Sequence, residues 1–102
     1  MNLMHWDRDA DGELSEFTMR AKLQALGYSV NRYVYPPGTY FAPHAHGMDK
    51  IDGVLSGQFC MEMEGATVEL QAGDMLAVPR GVLHSAEVVG NAPVVSLDAV
   101  KC

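Results

Sequence analysis

From Gly27 onward the chain is cut at short intervals by turn-forming residues, and the pieces between the cuts have strand chemistry. The pieces read YSVNRYVY, GTYFAPHAH, KIDGVLSG, QFCMEME, ATVELQ, DMLAVP, LHSAEVV and PVVSLDAV, and the cuts are PPG, SG, EGA, AGD, PRG and GNAP. Short runs rich in β-branched and aromatic residues, bounded by Gly, Pro and Asn, become antiparallel strands joined by tight turns. Alternation supports this, since Phe59, Met61 and Met63 share one face of their run while Glu62 and Glu64 take the other. The expected fold class is all-β, with a jelly-roll β-barrel over about 28–100. A chain of 102 residues supplies one modest core, hence a single domain over 15–102.

The residues before the strands read differently. Residues 1–14 are polar and acidic apart from Leu3, Met4 and Trp6, which suggests an N-terminal arm whose apolar residues dock on the body. SEFTMRAKLQAL has strong helix formers, with Ser15 as N-cap, Glu16 in the first turn and Gly27 as the stop. The pattern predicts one short helix over about 16–26. DRDADGELSEFT resembles a calcium-binding EF-hand loop, but its twelfth position is Thr18, which cannot give the bidentate carboxylate such a loop needs. We expect no calcium there. His5 has no partner in the sequence and reads as a surface residue.

Charge excludes one class of partner. The net charge is -6 and the seven Lys and Arg are scattered, whereas phosphate binding needs them clustered, so no nucleic-acid partner is expected. No apolar run approaches the roughly 18 residues of a bilayer span, and no charged start leads into an apolar stretch as in a secretory signal. The expectation is therefore no membrane and a cytoplasmic location. Cys60 falls inside a strand run and Cys102 is the last residue, positions that suggest free thiols.

The histidines carry the chemical signal. His44 and His46 lie two apart, so on an extended strand both point to one face, and His84 follows the PRG turn far along the chain. A third imidazole arriving from a distant strand would complete a triangle around one divalent transition metal. Parity predicts the rest of the lining: Tyr40 and Ala42 beside His44 and His46, Asp52 and Val54 beside Lys50, Ala86 and Val88 beside His84. Tyr40 and Lys50 are then the candidate catalytic residues, as proton donors or orienting groups. Met61, Met63 and Met75 read as core filler rather than as soft metal ligands.

The two histidine segments resemble the paired motifs of the cupin superfamily, G-x5-H-x-H-x3-E-x6-G and G-x5-P-x-G-x2-H-x3-N. Gly38, His44, His46 and Gly57 match the first, and Gly73, Pro79, Gly81 and His84 match the second, all at the family's spacing. The resemblance, to a small single-domain bacterial-type cupin, implies a conserved β-barrel with the histidines inside it. It also implies iron, manganese, zinc, nickel or copper as the metal, and a homodimer. Two positions depart from the pattern: Lys50 stands where the metal-binding glutamate would be, and Val88 where the asparagine would be.

The lysine changes the electrostatics of the site. A protonated Lys about 5 Å from a divalent ion is repelled by roughly 6–7 kcal/mol at an effective dielectric of about 20. Something must relieve that. Either the ammonium swings toward Asp49 or Asp52 and leaves three neutral imidazoles as the ligand set, or a one-residue shift brings Asp49 inward as a fourth ligand. We favour the first. With no carboxylate ligand the ion keeps its full charge, which suits an anionic or bidentate substrate. Within the family, three-histidine iron sites resemble the thiol and diketone dioxygenases. The leading expectation is a metal-dependent dioxygenase or isomerase acting on a small polar metabolite. The alternatives are a non-catalytic small-molecule or metal-binding sensor or carrier domain, and a vestigial barrel serving as a dimer scaffold.

Overall fold

Every one of the eight strand runs becomes a strand, and a ninth forms ahead of them. The computed structural model describes residues 1–101. Its elements are β1 (Leu3–His5), α1 (Arg8–Asp11), α2 (Glu16–Ala25), β2 (Ser29–Tyr35), β3 (Tyr40–His44), β4 (Asp49–Ser56) and β5 (Gln58–Met63), then β6 (Ala66–Leu70), β7 (Asp74–Val78), β8 (His84–Val89) and β9 (Val94–Lys101). Cys102 lies outside the described residues; Cys60 is a free thiol on β5, half-buried.

The strands form two antiparallel sheets, one ordered β1-β7-β4-β9-β2 and the other β3-β8-β5-β6. No ladder among the described residues joins them, so the sheets are not closed into the expected barrel. One physical reason sits at the corner where the chain passes from β2 to β3. Pro36 and Pro37 occupy it, and neither has an N–H with which to carry a ladder from one sheet to the next.

The single expected helix is also corrected, because α1 precedes α2. Asp7 caps α1, its side chain accepting from the Asp9 and Ala10 N–H groups at 2.9 and 3.4 Å. The acidic stretch thus satisfies a helix start of its own. At α2 the Ser15 hydroxyl accepts from the Thr18 N–H at 3.1 Å while Thr18 Oγ1 accepts from the Ser15 N–H at 2.9 Å, a reciprocal cap. Trp6 ties the N-terminal residues down, its indole N–H donating to the Gly12 carbonyl at 2.9 Å.

The five-stranded sheet is covered on both faces. Toward the other sheet, Val54, Leu76, Val78 and Val94 meet Phe59, Met61, Met63, Ala86 and Val88. On its far face Ile51, Met75, Leu97 and Ala99 pack under Met19 and Leu23 of α2. Strand parity therefore reads through β4 and β9: Lys50, Asp52 and Val54 face between the sheets, as do Val94, Ser96 and Asp98. Met61, Met63 and Met75 are core residues. No helix of the described residues is long and apolar enough to cross a membrane.

Candidate metal centre

His44 and His84 meet because β3 and β8 pair in a register that sets them directly opposite each other. That register holds only through a bulge. Phe41 pairs with Ala86 and His44 with His84, so Ala42 and Pro43 together face the single residue Ser85. Pro43, on this edge strand, has no N–H to lose from the ladder. His46 lies past the end of β3, and its carbonyl accepts from the Gly81 N–H at 2.9 Å, tying the segment to the turn before β8.

The three ring centroids lie 4.3 to 5.1 Å apart, and one nitrogen from each ring falls within 4.8 Å of the others. Two rings have fixed tautomers. His44 Nδ1 is 2.7 Å from the Ala42 carbonyl and His84 Nδ1 is 3.0 Å from the Val82 carbonyl, and a carbonyl only accepts, so each Nδ1 carries the proton. Each Nε2 keeps its lone pair free. The Nε2 of His46 is buried and has no hydrogen-bond partner. Burial, then the Lys50 charge and the neighbouring rings, holds the His46 imidazole below its ordinary value. Burial does the same at His84, against the Val82 carbonyl, which favours the protonated form. Burial thus favours the neutral form of those rings, the form that binds a cation.

Beside the histidines a cavity of about 230 Å³ opens between the sheets. Phe41, Phe59, Met61 and Ala86 make apolar walls, and Tyr35, Lys50, Asp52 and Asp98 supply the polar part. Lys50 sits inside with its side chain 13% exposed, its Nζ 3.5 Å from Asp52 Oδ1 and 3.8 Å from Asp98 Oδ2. The ammonium has thus turned toward two carboxylates. Asp52 is buried, and that burial, with Asp98 nearby and Lys50 opposing, pushes its carboxyl up to about 6. Tyr35 donates to Asp98 Oδ2 at 2.9 Å, and burial followed by the Asp98 charge raises its phenol well above the ordinary range.

Several expected residues sit elsewhere. Tyr40 is 59% exposed and does not line the cavity, because the bulge puts Phe41 rather than Tyr40 on the face that His44 shares. The phenol that reaches the cavity belongs to Tyr35. Asp49 is not a fourth ligand: its carboxylate accepts from the Arg80 N–H at 2.9 Å, away from the rings. Ala42 lies in the bulge, and Val54 and Val88 share the inward face but pack in the core beyond the cavity. His5 is largely exposed but not alone, with Nδ1 2.6 Å from Asp74 Oδ1. Sequence reasoning missed Tyr35 and Asp98. Asp98 had a signal, since it continues the inward parity of Val94 and Ser96 in a mostly apolar strand.

Comparison with known proteins agrees with this geometry. Residues 31–100 match the cupin domain model. This chain belongs to the cupin family. This cupin is 35% identical over 82 residues to germin-like protein 9-3 of Oryza sativa subsp. japonica, a match covering 74% of the chain and 37% of that protein. It is 34% identical over 76 residues to the bifunctional lysine-specific demethylase and histidyl-hydroxylase NO66 of Branchiostoma floridae, covering 71% of the chain and 12% of that protein. The cupin thus spans little more than a third of one curated relative and about an eighth of the other. Among solved structures it is similar to KdgF from Halomonas sp., with a TM-score of 0.64, 26% identity, and 72% and 68% of the two chains covered. This cupin carries three histidines that could coordinate a metal.

Proposed function

We propose that this cupin is a metal-dependent enzyme, a dioxygenase or an isomerase acting on a small polar metabolite, with His44, His46 and His84 as the protein ligands. The observation that carries the reading is the buried, unpartnered Nε2 of His46 beside two rings whose Nδ1 protons are already committed to carbonyls. A buried polar atom without a partner is unfavourable by about 1–3 kcal/mol, and a cation at the centre of the three rings would remove that deficit. Three neutral nitrogens suit iron, zinc, manganese, nickel or copper, and a hard ion such as calcium poorly.

A divalent ion held there supplies Lewis acidity, and a redox-active one can exchange electrons with dioxygen. The chain's own residues do the rest. The carbonyls of Ala42 and Val82 fix two imidazoles in the ligating tautomer. Phe41, Phe59 and Met61 keep bulk water from the inner wall and limit the ligand to a compact molecule. Lys50 holds a proton donor inside the cavity, and its carboxylate partners hold it off the rings. One relative is a histidyl-hydroxylase, which supports oxygen chemistry for this site.

Elemental analysis of the protein as isolated, and after anaerobic Fe(II) loading, tests the reading first. We expect about one equivalent of transition metal, lost in His46→Ala. Oxygen uptake with a panel of thiols, diketones and phenols then separates an oxygenase from a binding domain. A protein that stays metal-free after loading sinks the enzyme reading, and one that holds metal but consumes no oxygen leaves the isomerase or the sensor.

A further inference from the structure

The polar part of the cavity holds one ammonium between two carboxylates, neither of which bonds it closely. Asp98 already accepts two hydroxyls: Ser96 Oγ donates to its Oδ1 at 2.6 Å and Tyr35 Oη to its Oδ2 at 2.9 Å. Asp52 is buried on the other side of the ammonium. The Lys50 ammonium is left with contacts of 3.5 and 3.8 Å, both longer than the roughly 2.7–2.9 Å of a charge-assisted hydrogen bond. It therefore lies inside the cavity between two carboxylates, with neither contact short enough for a strong charge-assisted bond.

We infer that the ligand of this cupin is a small carboxylate, bound with its anionic group between Lys50 Nζ and the three imidazoles. The inference rests on the metal reading above. A divalent ion and the ammonium contribute three positive charges, and the two aspartates withdraw at most two of them. The occupied cavity thus keeps at least one unit of positive charge, and a monoanion neutralises it. A family-type glutamate at position 50 would have made the site anionic at that point; the lysine inverts its sign. Among the described residues Lys50 is the one cation lining the cavity, which suits a carboxylate better than a phosphate with its greater need for donors. The walls of Phe41, Phe59, Met61 and Ala86 and a volume of about 230 Å³ admit a short apolar body behind that group. Tyr35 and Ser96 act as positioning residues, because their hydroxyls hold Asp98 where it restrains Lys50 without capturing it.

The test compares glycolate with its neutral isostere glycolamide on the zinc-loaded protein, followed by backbone amide shifts in NMR titrations, with zinc stoichiometry measured on the same samples. Wild type should bind the acid at least about tenfold tighter than the amide, with shifts centred on Lys50 and Tyr35. In Lys50→Met that ratio should fall by about tenfold at unchanged zinc content, and Lys50→Arg should restore it. A Lys50→Met ratio within about threefold of wild type, at one equivalent of zinc, overturns the carboxylate inference and spares the metal reading. Wild-type protein that takes up no zinc overturns both.

Discussion

His46 is the residue on which the proposed function turns, because its Nε2 is the one buried side-chain polar atom without a partner among the described residues. The histidines were legible from the sequence because spacing two apart on an extended segment fixes a shared face, and the second motif placed His84 within reach. Lys50 was equally legible as a departure, and Asp52, two residues on along the same strand face, is one of the carboxylates it turns toward. Tyr35 was not legible, and Asp98 only in its parity, since their roles depend on which strands become neighbours across the cavity, a property no local pattern encodes. The lowered values of His46 and His84 give a pH prediction with a definite sign. A ligand histidine must be neutral, and these two stay neutral on the acid side of the 6.5 of an unperturbed imidazole. Zinc occupancy at fixed total zinc should therefore hold as pH falls to 6.5 and reach its midpoint below that value. A midpoint at or above 6.5, read by equilibrium dialysis, would show that burial does not protect the rings.

At the scale of elements, the strands were readable and their joints were not. The eight runs became β2 to β9, yet the parity assigned to Tyr40 failed because one bulge in β3 shifts the face by a residue. Pro43 hinted at an irregularity, but a proline on an edge strand is compatible with either parity. β1 escaped notice because three residues carry too little pattern, and it forms only because β7 offers a partner. The joint between β4 and β5 gives a sharper test. Gly57 has φ 87°, and a Cβ there would come within 2.4 Å of the Pro93 carbonyl oxygen, just before β9. Gly38 has a similar φ of 83° with nothing within 4 Å. Both substitutions to Ala incur the left-handed backbone strain of about 1–3 kcal/mol, but only Gly57→Ala also forces the β4–β5 turn off the β9 entry. In urea unfolding Gly57→Ala should lose about 2 kcal/mol more than Gly38→Ala. Equal losses would mean that the close approach to Pro93 is relieved at no energetic cost.

Across the whole molecule, the site lies between the two sheets and is lined by both. The four-stranded sheet supplies His44 and His84, the segment after β3 supplies His46, and the five-stranded sheet supplies Lys50, Asp52 and Asp98. No ladder among the described residues joins the sheets, so side-chain packing and the groups around the cavity hold them together there. An ion at the three rings would fasten β3, β8 and the segment between β3 and β4 at one point, an arrangement that exists only in the folded chain. Binding of that kind stabilises by mass action, about 2.7 kcal/mol at a free metal concentration one hundred times Kd. For a domain of this size each kcal/mol moves Tm by about 4–8 °C, so zinc at that ratio should raise Tm by about 10–20 °C over chelator-treated protein. His46→Ala should flatten the response while leaving the chelated Tm close to wild type, because its buried nitrogen makes no bond to lose. Stoichiometric zinc with no rise in Tm would place the ion on groups that the unfolded chain presents equally well, and the three-ring centre would have to be given up.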